Sequence, residues 1–181
     1  MKAAAKPGAT SVKPRYHRIE EQMKQTVIDI LIYLFEHYIE DEIELEDDHD
    51  RVKSQLRDAG FDRVQIGKAF DWLQDLAVTN EQSAPQISES VTSVRIYAPE
   101  EESKLDAQCR GFVHFLGEVG VLDPTNREVV IERTMALDAD EIDIDQLKWI
   151  VLMVLFNRPG QEQAFTWMED LVMDDLYGCV H

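Results

Sequence analysis

The sequence predicts a mainly α-helical protein of about seven helices with one short β-hairpin or strand. The N-terminal half is expected to be winged-helix-like and the C-terminal half a helical bundle. Three observations lead there. Apolar residues recur at helical spacing in seven segments. Residues that start and stop helices bound most of those segments. Only residues 84–97 carry β-formers without that spacing.

The first helix is expected over residues 26–40. Val27, Ile30, Leu31, Leu34, Phe35 and Tyr38 form one stripe, broadened by Ile28, Ile32 and Ile39. A helix so widely apolar must be covered on several sides. The second, about residues 49–59, turns Val52, Leu56 and Ala59 inward, and Gly60 stops it in a left-handed conformation. Asp62 caps the third, which runs to Val78 and buries Ile66, Ala69, Phe70, Leu73 and Leu76. Polar residues and Pro85 then mark a loop, followed by Ile87 and the run 91–97 as extended chain.

Pro99 and Glu100, Glu101 and Glu102 favour the start of a fourth helix reaching Gly117, with Leu105, Cys109, Phe112 and Leu116 inward. Gly111 and Gly117 lower its helicity, which a closely approaching helix would explain. Asp123 and Pro124 begin the fifth helix, to Leu137. The sixth, about residues 145–157, is nearly all apolar and is expected at the centre of the second half. Pro159 and Gly160 end it. The seventh, about residues 161–176, buries Phe165, Met168, Val172 and Leu176.

Composition limits function. The 181 residues are 44% hydrophobic and 30% charged, as in soluble globular domains. The formal net charge is -18. Such a surface repels phosphate backbones and anionic membranes at long range, and makes a protein with a basic surface the natural partner. Residues 1–25 hold six basic against two acidic side chains, a net +4, which leaves -22 on the rest. They read as a basic, flexible N-terminal extension, followed by units over 26–97 and 98–181. Cys109 and Cys179 have no metal or redox spacing and are expected as reduced thiols in a cytoplasmic protein, Cys109 in the core. The longest apolar run, residues 147–156, is too short to span a membrane.

No catalytic signature is present: no nucleophile elbow, P-loop or dinucleotide fingerprint occurs. The chain is expected to be non-enzymatic, without cofactor or metal. A single E-x-x-H at 46–49 lacks the second copy that a di-iron bundle needs. His37 with Asp41 and His114 with Glu118 offer two ligands each, too few for a metal site.

One local exception to the acidity stands out. Residues 51–70 carry Arg51, Lys53, Arg57, Arg63 and Lys68 against Asp58 and Asp62, a net +3. In a winged helix the third helix would present Arg63 and Lys68, and Arg95 would sit on the wing. Asp71 and Asp75 on the same helix oppose phosphate contact. Candidate contact residues for a protein or nucleic-acid partner are therefore Arg57, Arg63, Lys68, Arg95 and Trp72. Trp167, at the edge of its stripe, is a further docking residue if exposed, because a tryptophan beside acidic groups suits a basic partner.

Several long segments carry a family resemblance: IDILIYLFEHYI at 28–39, LRDAGFD at 56–62, VRIYAPEE at 94–101, LDAQCRGFVHFL at 105–116, REVVIERTMALD at 127–138 and LKWIVLMVLFNRPG at 147–160. Together they resemble the bacterial Smg family of small cytosolic proteins. The resemblance covers the chain beyond about residue 26. It implies no activity, cofactor or catalytic residue. The family's genes often lie near those for DNA processing and translation-linked functions, an association that slightly favours work with that machinery; the role expected is that of an accessory protein docking on a basic surface there or, as the alternative, a nucleic-acid-binding regulator.

Overall fold

The computed structural model describes residues 26–39, 49–82 and 95–177. Among the described residues there are eight α-helices: α1 (Val27–Leu34), α2 (His49–Asp58), α3 (Arg63–Gln82), α4 (Pro99–Lys104), α5 (Ala107–Glu118), α6 (Pro124–Met135), α7 (Ile144–Phe156) and α8 (Glu162–Tyr177). A π-helical segment, Phe35–Ile39, continues α1. The basic extension, Cys179 and most of the expected hairpin, residues 83–94, lie outside the described residues. Residues 95–98 are extended chain without strand pairing, and no sheet occurs among the described residues.

Local chemistry accounts for the helix ends. The Asp62 carboxylate accepts from the backbone N–H of Val64 and Gln65 at 2.8 and 3.2 Å and so caps α3. Asp123 and Asp143 cap α6 and α7 in the same way. Gly60, between α2 and α3, has φ +97°, a conformation that costs a side-chain-bearing residue dearly.

The expected fourth helix is broken. Leu105 leaves helical geometry with φ -105° and ψ 107°, and it forms an isolated parallel bridge with Ile142. The Ile142 N–H donates to the Lys104 carbonyl at 3.0 Å. Asp106 then starts a new helix by accepting from the Cys109 N–H at 2.7 Å. The apolar stripe hides the break, because Leu105 and Cys109 are both wholly buried either way. No helix approaches Gly111, where an added Cβ would meet nothing within 4 Å. Its presence is not explained by close packing.

Helix α7 is central, packed on α5, α6 and α8, with every residue from Trp149 to Leu155 buried. On the other side α3 packs on α1, α2 and α6. Phe35 bridges the two groups by meeting Trp149 edge-on at 5.9 Å. One hydrophobic cluster runs from Val27 to Val172. Each fully buried leucine or isoleucine in it contributes about 1.5–3 kcal/mol of burial.

Candidate functional site

Of the five residues expected to contact a partner, Lys68 and Trp72 line one cleft, and Trp72 is buried. Trp72 is 4% exposed, and its indole N–H donates to the Arg133 carbonyl at 2.9 Å. Its side chain joins α3 to α6 and presents no anchor to a partner. Lys68 is exposed but donates to the Asp138 carboxylate, 70 residues away in the chain. That contact holds the Asp138 carboxyl below its ordinary range.

Arg95 is the most constrained. Its two terminal nitrogens donate to the two Glu101 oxygens at 2.8 and 2.7 Å, and its Nε to Glu128 at 2.9 Å. The guanidinium also lies over the Tyr97 ring, 4.6 Å from its centroid. Two carboxylates therefore neutralise the cation expected to meet phosphate. The hydrogen bonds from Arg95 hold Glu101 below the usual carboxylate range, and they favour the charged form of Arg95 in return. Partial burial raises Tyr97. The arrangement is a clamp that ties the segment before α4 to α6.

Arg57 and Arg63 remain exposed on α2 and at the start of α3. Arg57 donates to the Lys53 carbonyl at 3.1 Å. Neither makes an ion pair with a described carboxylate. Burial pushes the Cys109 thiol up to about 12, which favours its protonated form at neutral pH. Lys104, buried against the Met135 and Leu137 carbonyls at the end of α6, is held below its ordinary value by burial. Among the described residues no group of three or more His, Cys, Asp or Glu side chains could hold a metal ion. No helix there is long and apolar enough to cross a membrane.

The structure brings together a different set. Phe115 on α5, Val119 at its C-terminal end and Trp167 on α8 are exposed by 46%, 49% and 39%. The Phe115 and Trp167 rings lie 6.3 Å apart. A shallow recess of about 200 Å³ adjoins them, walled by Val119, Gly120, Val121 and Ala164. Glu118 and Asp170 stand exposed beside these residues in sequence, and α8 contains no Lys or Arg. The sequence holds two signals for this surface: Trp167 lies at the edge of its stripe, and Phe115 falls off the stripe Leu105, Cys109, Phe112, Leu116, so a helix there must turn it outward.

Comparison with known proteins agrees with the resemblance in sequence. The family described as "Protein of unknown function (DUF494)" matches residues 27–181. The Protein Smg homolog of Nitrosococcus oceani is 45% identical over 159 residues, covering 88% of this chain and all of that protein. The homolog of Thioalkalivibrio sulfidiphilus is 48% identical over 152 residues, covering 84% of this chain and 96% of its own length. No solved structure matches the chain. Matched over almost all of its described length, the chain belongs to the bacterial Smg family.

Proposed function

We propose that this protein is a non-enzymatic, acidic accessory factor of the cytoplasm that docks on a basic surface of DNA-processing or translation machinery. The observation that carries the reading is the exposed Phe115–Val119–Trp167 surface, set in a chain of net charge -18. Exposed aromatic side chains beside acidic groups fit an apolar segment flanked by Lys or Arg. Charge steers the encounter, and the aromatic rings anchor the complex once water is expelled. The test is co-purification across a salt series with the unaltered chain and Trp167→Ala. Retention that weakens with salt and falls at least tenfold in the variant supports the reading. Loss of retention at low salt for both chains, or equal retention by both, overturns it.

A second reading is a winged-helix-like nucleic-acid-binding regulator. Its support is the exposure of Arg57 and Arg63. The pairing of Lys68 and Arg95 with carboxylates counts against it. Fluorescence anisotropy with short DNA and RNA at low ionic strength, where phosphate attraction is strongest, decides between them.

A further inference from the structure

Gly111 sits inside α5, where glycine weakens a helix relative to alanine, yet an added Cβ would meet nothing within 4 Å. It is exposed, one turn before Phe115 and two turns before Val119, so the three share one face of the helix. A groove borders that face, between α5 and α8. Val119 and Ala164 wall its recess, and the next contact is Phe115 with Trp167, one turn earlier on α5 and one turn later on α8. The two helices therefore run antiparallel here, and the following turn leads to Gly111 on α5 and to Asp170 on α8. Trp167, Asp170 and Asp174 are all exposed, at the spacing of a single helical face.

Charge singles out the occupant. No Lys or Arg occurs from Gly111 to Asn126 or from Pro159 to His181. Neither Asp170 nor Asp174 makes an ion pair with a described residue, and the ion-pair contact of Glu118 among the described residues is with His114, at 3.9 Å. Cations must therefore come from outside. A second copy of the chain, with net charge -18, would set acid against acid. An extended peptide needs a sheet edge for its backbone, and no sheet occurs among the described residues. A helix satisfies its own backbone and needs only side-chain contacts. Gly111 then has a use: helix axes approach most closely where side chains at the contact are smallest.

Resting on the docking reading above, we propose that the partner presents a basic amphipathic α-helix, laid along α5 from Gly111 to Val119, with one large apolar side chain in the recess beside Trp167 and Lys or Arg toward Glu118, Asp170 and Asp174. The contact is about 12 Å long, roughly two turns of the partner helix. Anisotropy of a labelled synthetic peptide with the full chain tests it. The probe is a helix-forming peptide of about 16 residues, with Leu at every third or fourth position and Lys elsewhere. It should bind at least tenfold tighter than a scramble of the same composition and gain helical circular dichroism on binding. Gly111→Leu, which keeps the net charge and enters open space, should weaken it at least tenfold, as should Trp167→Ala. Gly111→Ala, the milder change, should weaken it about threefold, and thermal melting checks that each variant is folded. Loss of binding in Trp167→Ala with full affinity in both Gly111 variants overturns the helix across Gly111 and leaves the docking surface standing. Full affinity in all three variants overturns both. Equal affinity for the scramble, or tighter binding of a Pro- and Lys-rich extended peptide, overturns the helical occupant. A dimer in sedimentation that Trp167→Ala dissolves assigns the face to a second copy and overturns it as well.

Discussion

On α3 and the segment before α4, three of the expected recognition groups are occupied by the protein itself. Lys68 holds Asp138, Arg95 holds Glu101 and Glu128, and the indole N–H of Trp72 holds a backbone carbonyl of α6. On α5 and α8 the opposite is true: Phe115, Val119 and Trp167 keep large apolar areas in water. The first surface looks like an interaction site in sequence because its charges stand close together along the chain. The second is inconspicuous there because its members are separated by 52 residues from Phe115 to Trp167. Local charge density is therefore a poor guide to recognition when partners for those charges arrive from distant helices.

The two tryptophans give the largest test of this contrast. Trp72→Ala removes a buried ring and leaves the Arg133 carbonyl without its donor, so it should cost about 3–5 kcal/mol in chemical denaturation. Trp167→Ala should cost less than about 1 kcal/mol while abolishing partner retention. Similar losses of stability in the two variants would remove the distinction between structural and docking surfaces.

Next in size is the Arg95 clamp. Arg95→Ala should lower stability by about 1–2 kcal/mol, less than for a fully buried pair because Glu128 remains half exposed. The effect has a defined pH sign. The Glu101 carboxyl titrates lower in the folded state than its ordinary 4.5. Its contribution is therefore fully present above pH ~4.5 and is lost as pH falls through the lower folded value. Stability curves of the unaltered chain and Glu101→Gln should differ at pH 7 and converge in acid; a gap that widens in acid would contradict the assignment.

The break between α4 and α5 carries a smaller effect. Asp106→Ala removes the side-chain cap on the Cys109 N–H and should cost about 1 kcal/mol in thermal unfolding. An unchanged transition would mean that the cap contributes nothing to separating the helices. The smallest effect belongs to Lys68→Ala. Its ion pair is exposed on both sides, so stability should change by no more than ~0.5 kcal/mol. Nucleic-acid anisotropy should not change either, and a clear loss of affinity would revive the basic surface as a binding site.

Much of the helical framework was readable from the chain. The stripes of the first and third helices correspond to the buried faces of α1 and α3, including Ile30, Leu31, Ile66 and Leu76. Gly60 and Asp62 separate α2 from α3 as their conformational preferences require. The division at Leu105 was not readable. A residue in extended geometry can lie on the same apolar line as the helix after it, and the bridge to Ile142 depends on a segment 37 residues away. Trp72 is covered for a related reason: its burial depends on α6, whose Arg133 carbonyl accepts its indole N–H from 61 residues away.

Periodicity, capping and net charge are properties of neighbouring residues, which is why a helical, strongly acidic protein follows from the order of amino acids alone. Whether a given cation meets a carboxylate is another matter. Arg95 and Glu128 are 33 residues apart, and Lys68 and Asp138 are 70 apart. Such pairs form only once helices have packed, because screened charges in an open chain do not hold one another at those separations. The docking surface arises in the same way: α5 and α8 each contribute part of it, and their packing against α7 brings Phe115 and Trp167 together.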